Sequence, residues 1–171
     1  MATQNPNLMP KEAMEKIYST AGSQEPLISE ILTKVNNAKD KPKKIAVLRD
    51  HDNPSLRMII KGAFDPNIKW ALPTGTPPYI ENEAPDGTEH TLLSNEAKRL
   101  WHFVEGADAD TTKTQKETMF IQMLEGLHKD EAKVLLGMKD KSLNKMYKGL
   151  TSAMVREAFN WNDNFMQNEN N

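Results

Sequence analysis

The stretch that most limits what this chain can fold into is residues 71–79, ALPTGTPPY. Its three prolines fix φ near the polyproline value, remove three backbone donors and push the preceding residues out of the α region. The stretch must therefore be extended or turned, and it separates two blocks whose apolar residues recur at helical spacing. Trp70 and Tyr79 bracket it with large surfaces suited to pinning a strap against helices. Neither block has enough apolar residues for a comfortable core alone, so the reading is a strap within one domain rather than a linker between two.

Before the strap, Pro10 opens a helix carrying Ala13, Met14, Ile17 and Tyr18 that ends near Gly22. Ser23 is read as the cap of a second helix, with Pro26 in its first turn and Leu27, Ile28, Ile31, Leu32 and Val35 on one face. Pro42 either breaks that helix or starts a third element across Ile45, Val47 and Leu48, which a short strand would also fit. Asn53 and Pro54 form an N-cap and first-turn pair for a helix bearing Leu56, Ile59 and Ile60 and closed by Gly62.

After the strap, Pro85-Asp86-Gly87 is a turn signal, and Thr91 caps a helix whose Leu93, Ala97, Leu100, Trp101 and Val104 share a face before Gly106. Met119, Phe120, Met123, Leu124 and Leu127 mark another helix, with Gly126 near its end. His128 or Asp130 opens a companion carrying Ala132, Leu135 and Leu136, close enough for a helical hairpin. Thr151 caps the last helix, with Leu150 and Val155 as a hydrophobic staple. The expected architecture is all-α, a single compact domain of about six to eight helices. Its parts are a lead at 1–9, a helical domain at 10–161 and an Asn-rich frayed tail at 162–171. Within the domain, a first block at 10–64 and a second at 91–161 flank a Pro-rich strap region at 65–90.

Composition excludes several function classes. Hydrophobic residues make up 37% and charged residues 27%, with a mean hydropathy of -0.69, as in a polar soluble protein with a modest core. No apolar run approaches the roughly eighteen residues of a membrane span, and the N-terminus lacks the pattern of a signal peptide, so a cytoplasmic chain is expected. The absence of cysteine removes disulfides, thiolate metal sites and thiol catalysis together. No nucleophile elbow, HExxH, P-loop or dinucleotide fingerprint is present, and no enzyme, cofactor or small-molecule substrate is indicated. Arg49-Asp50-His51-Asp52 invites a metal or acid-base reading, yet adjacent residues rarely point at one centre, and a solvated loop beside a helix cap fits better. His90, His102 and His128 read as caps or surface residues.

By this point four phrases stand in order along the chain: FDPNIKWALPTGTPPY, SNEAKRLWHFVEG, ETMFIQMLEGLHKDEAKVLLGMKDKSLNKMYKGLT and VREAF. Together they make the chain resemble an uncharacterised protein family of large T-even-type tailed phages, including those of marine cyanobacteria, over roughly residues 25–160. The resemblance implies a phage origin and a life in the infected bacterial cytoplasm or in the particle. It carries over no catalytic or binding residue.

Charge supplies the remaining candidates. The net charge of -2 conceals blocks of opposite sign, with residues 33–61 and 111–148 basic and 62–110 acidic, a pattern suited to a charged partner or to another copy of the chain. The leading expectation is a non-enzymatic interaction or accessory protein that binds another phage or host protein, or itself, through Trp70, Leu72 and Tyr79. A particle or assembly component is the alternative. A nucleic-acid-binding role would use Lys39, Lys41, Lys43, Lys44, Arg49 and Arg57, although Asp40, Asp50 and Asp52 interrupt that cluster. The competing reading of the strap is that its aromatics only close the core between two helical layers.

Overall fold

The structure, a computed structural model, describes residues 25–85 and 90–168. Within them the chain is all-α. In order come α1 (Ile28–Asn37), α2 (Lys41–Asp50), α3 (Pro54–Phe64), α4 (Leu93–Glu96), the 3-10 helix η1 (Ala97–Phe103), α5 (Lys113–Gly126), α6 (Lys129–Lys139), α7 (Leu143–Met146) and α8 (Ser152–Phe159). No strand occurs among the described residues, and two isolated antiparallel bridges join Trp70 to Val104 and Trp161 to Gln167. The helix expected over 10–22, its neighbour Ser23 and the centre of the turn at 85–87 lie outside the described residues.

Short polar side chains and prolines set several helix starts. The Asp40 carboxylate accepts from Lys43 N with Pro42 in the first turn, so the element left open between strand and helix is α2. Asn53 Oδ1 accepts from Leu56 N at 2.8 Å, Thr112 pairs reciprocally with Gln115, and Thr151 accepts from Met154 N. His128 opens α6, its ring Nδ1 accepting from Asp130 N at 3.0 Å.

α6 is the central helix. It contacts α1, α3, α4, α5 and α7, and Ala132, Val134, Leu135, Leu136 and Met138 are all buried along it. The buried cluster runs from Ile28 to Phe165 and draws on both sides of the strap.

The start of α6 also supplies what α1 and α4 lack. Both have leucine at the N-cap, Leu27 and Leu92, with no side-chain cap. Glu131, 1% exposed, accepts instead from Ile28 N at 2.9 Å and from Leu93 N at 3.0 Å. Three helix starts thus converge on one carboxylate, where their orphan donors and positive dipole ends favour an anion. Pro26, expected in the first turn, lies before α1, and the Thr91 hydroxyl, expected as a cap, bonds the Glu96 side chain instead.

Three further expectations are corrected. The segment after Thr91 is mostly 3-10, whose period of three places Ala97, Leu100 and Phe103 on the buried side and turns Trp101 outward. Gly62 does not close its helix, which continues to Phe64. Residues 162–168 are not frayed: the chain turns back through Phe165, at φ 58, and buries that ring.

Candidate functional site

The prolines leave the strap without a ladder of its own, so its backbone is satisfied by the helices around it. Ala71 N donates to Phe103 O at 2.6 Å and Glu105 N to Lys69 O at 2.7 Å, which fixes the strap's entry beside η1. Trp70 Nε1 donates to Gly62 O at 3.0 Å, and the indole lies against the space where any other residue would carry its Cβ. The Lys139 side chain, 2% exposed, donates from Nζ to Pro73 O, Gly75 O and Asp140 Oδ1 at 2.6–2.8 Å. The Asp140 carboxylate accepts in return from Gly75 N, a glycine at φ 95. Farther on, Ile80 N donates to Glu125 Oε2 at 2.7 Å. The strap therefore runs from the end of α6 towards the α5–α6 junction.

A cleft of about 770 Å³ opens where the strap begins, between the end of α3, the end of α6 and the start of α8. Trp70 and Leu72 give it apolar surface, and Lys69, Lys139, Lys141 and Lys148 line it against one carboxylate, Asp140. Lys139 already neutralises Asp140. Lys141, at φ 55, closes α3 by donating from Nζ to Gly62 O and Asp65 O at 2.7 and 2.8 Å. Burial lowers the pKa of that ammonium, and the nearby Asp65 opposes the shift. Lys69 and Lys148 are exposed at the rim. A cleft of this size with convergent cations and an apolar wall can hold a short anionic segment.

The structure treats the sequence candidates unequally. Trp70 and Leu72 meet at the cleft, whereas Tyr79 lies farther along the strap, half-buried against the core, its phenol pushed up by burial and then by Glu81. Of the basic set, Lys44 Nζ donates to Val35 O, Asn36 O and Ala38 O and closes α1. Arg49 closes α8 through Ala158 O and Glu157 O, and Lys41 pairs with Glu157 at 2.7 Å. Arg57 makes a bidentate pair with Asp52 at 2.6 and 2.7 Å and lies over the Phe159 ring. Lys39 and Lys43 are exposed near the start of α2. Four of the six cations thus have partners in their own chain. The cleft lysines were missed because they are scattered in sequence; the Lys-Asp-Lys run at 139–141, just past an apolar helix, was the available signal.

His102 and Asp108 form a separate local cluster. His102 Nδ1 lies 2.8 Å from Asp108 Oδ2, and Asp108 also accepts from Thr111 Oγ1, Thr111 N and Asp110 N. The His102 bond first, then the Thr111 hydroxyl, hold the Asp108 carboxyl well below the usual range. Because the fold favours the ionised form, its contribution is complete above the unfolded value of 3.8 and is lost as pH falls below it. Asp108→Asn should flatten the acid limb of the stability profile below about pH 4. Urea midpoints measured from pH 2 to 7 check this, and an unchanged acid slope would contradict it.

A family model described as a family of unknown function (DUF6433) matches residues 31–145. No curated protein and no solved structure matches the chain. Among the described residues no helix is long and apolar enough to cross a membrane, and no group of three or more His, Asp or Glu is placed to hold a metal ion.

Proposed function

We propose, for a chain that belongs to the DUF6433 family of unknown function, a non-enzymatic role as a phage-encoded interaction protein of the infected bacterial cell. It takes an acidic segment of another phage or host protein into the cleft beneath the strap. The carrying observation is the pairing of an apolar wall, Trp70 and Leu72, with exposed rim cations, Lys69 and Lys148, around a cleft whose one carboxylate is already matched. The phage origin rests on the phrase resemblance, and the partner's acidic character on charge complementarity. The clamps from Lys139 and Asp140 suit the strap to hold one geometry before a partner arrives, which lowers the ordering cost of binding.

The test is affinity capture from infected cells, with nuclease treatment, of the wild type beside Lys69→Glu/Lys148→Glu. Both substituted residues are exposed, so the fold is expected to survive. The expected result is a nuclease-resistant protein partner enriched roughly tenfold or more by the wild type over the variant. Equal capture by both would remove the cleft from the interaction, and loss of the partner on nuclease treatment would point to nucleic acid.

A further inference from the structure

The cleft asks for an acidic segment with an apolar anchor, and the chain displays one on its own surface. Ile80 is 79% exposed, the most exposed large hydrophobic residue among those described. Its backbone is held outward by the bond from Ile80 N to Glu125, and Glu81 and Glu83 follow it, both exposed. The segment reads Ile-Glu-Asn-Glu, one anchor with two carboxylates, opposite in sign to the rim formed by Lys69 and Lys148. We infer that the cleft of one copy receives Ile80–Glu83 of a second copy, so that the protein self-associates head to tail.

Geometry separates this from a contact within one molecule. The cleft lies at the end of α6, beside Lys139 and Asp140. Ile80 and Asn82 bond Glu125 and Gly126, where α5 ends and α6 is about to begin. The eleven residues of α6 hold these two ends apart by about 15 Å. Glu125 holds Ile80 at the far end, so the segment cannot turn back into its own cleft. The two surfaces differ, so pairing them is heterologous and propagates into a chain, or into a ring if the rotation closes. The complementarity between successive copies then rests on the exposed cations Lys69 and Lys148 at the cleft rim and on Glu81 and Glu83 of the segment.

The inference rests on the reading of the cleft as a docking surface, and its test is the state of the purified full chain in solution. Sedimentation velocity at about 5–500 μM should show concentration-dependent association that weakens as salt is raised. Ile80→Ser, Lys69→Glu/Lys148→Glu and Glu81→Lys/Glu83→Lys should each weaken it by roughly tenfold or more. Mixing the two charge-reversed variants should restore it, because each then offers the other a matched cleft and segment while repelling itself. A wild type that stays monomeric at every concentration and salt, or association indifferent to these changes, overturns self-pairing. If capture from infected cells is nonetheless lost in Lys69→Glu/Lys148→Glu, the cleft still docks a different protein; if capture too is unaffected, both readings fall.

Discussion

Glu131→Ala is expected to lower the unfolding free energy by about 3–5 kcal/mol. The carboxylate is buried and accepts from the first backbone N–H of both α1 and α4, neither of which has a capping side chain of its own. Alanine leaves both donors in the interior without an acceptor and removes the anion on which three helix starts converge. For a chain of this size the melting temperature should fall by roughly 8–16 °C. Glu131→Gln keeps the shape and one acceptor oxygen, so it should lose about half as much. Urea denaturation of the three proteins decides the matter, and an alanine variant within about 1 kcal/mol of wild type would show that the N–H groups find other partners.

Glu131 also marks where the sequence stops being legible. Local capping is visible in a single chain because donor and acceptor are three residues apart, as at Asn53, Thr112 and Thr151. Glu131 lies 103 residues from Ile28 and 38 from Leu93, and nothing in its neighbourhood announces either bond. The same limit explains the 3-10 segment. Ala97, Leu100 and Trp101 fit an α-helical stripe as well as Ala97, Leu100 and Phe103 fit a period of three, and only packing of Phe103 against Phe120, with centroids 5.5 Å apart, separates them.

The cleft was legible in half. The strap was recognisable from its prolines, and Trp70 and Leu72 from their place beside it. Its cations were not, because Lys69, Lys139 and Lys148 come together only when α3, α6 and α8 pack around the strap. The conspicuous basic run at 33–61 misled for the complementary reason. A cationic side chain beside the end of a neighbouring helix satisfies carbonyls as readily as phosphates, and Lys44 and Arg49 do so within the fold.

Gly62 and Trp70 give the second large effect, and its form is a coupling. A Cβ on residue 62 would sit 2.6 Å from Trp70 Cζ2 and 2.9 Å from Met138 Sδ, and the indole cannot slide away without breaking its bond to Gly62 O. Gly62→Ala should therefore cost about 2–3 kcal/mol as an overpacked site, although alanine is the better helix former. Trp70→Ala should cost about 2–4 kcal/mol, through the cavity and the lost apolar burial of a half-buried ring. In the Trp70→Ala background the clash with the ring is gone and only the flexible Met138 need adjust. Gly62→Ala should then be neutral or stabilising by up to about 1 kcal/mol, and the double variant should lose less than the sum of the singles. Strictly additive losses would mean that residue 62 is glycine for a reason other than the indole. The same variants separate the two roles open to Trp70. If the Trp70→Ala protein stays folded and still captures its partner, the ring serves the core by holding the strap to α3. If it stays folded and capture fails, the ring is also part of the surface that the partner touches.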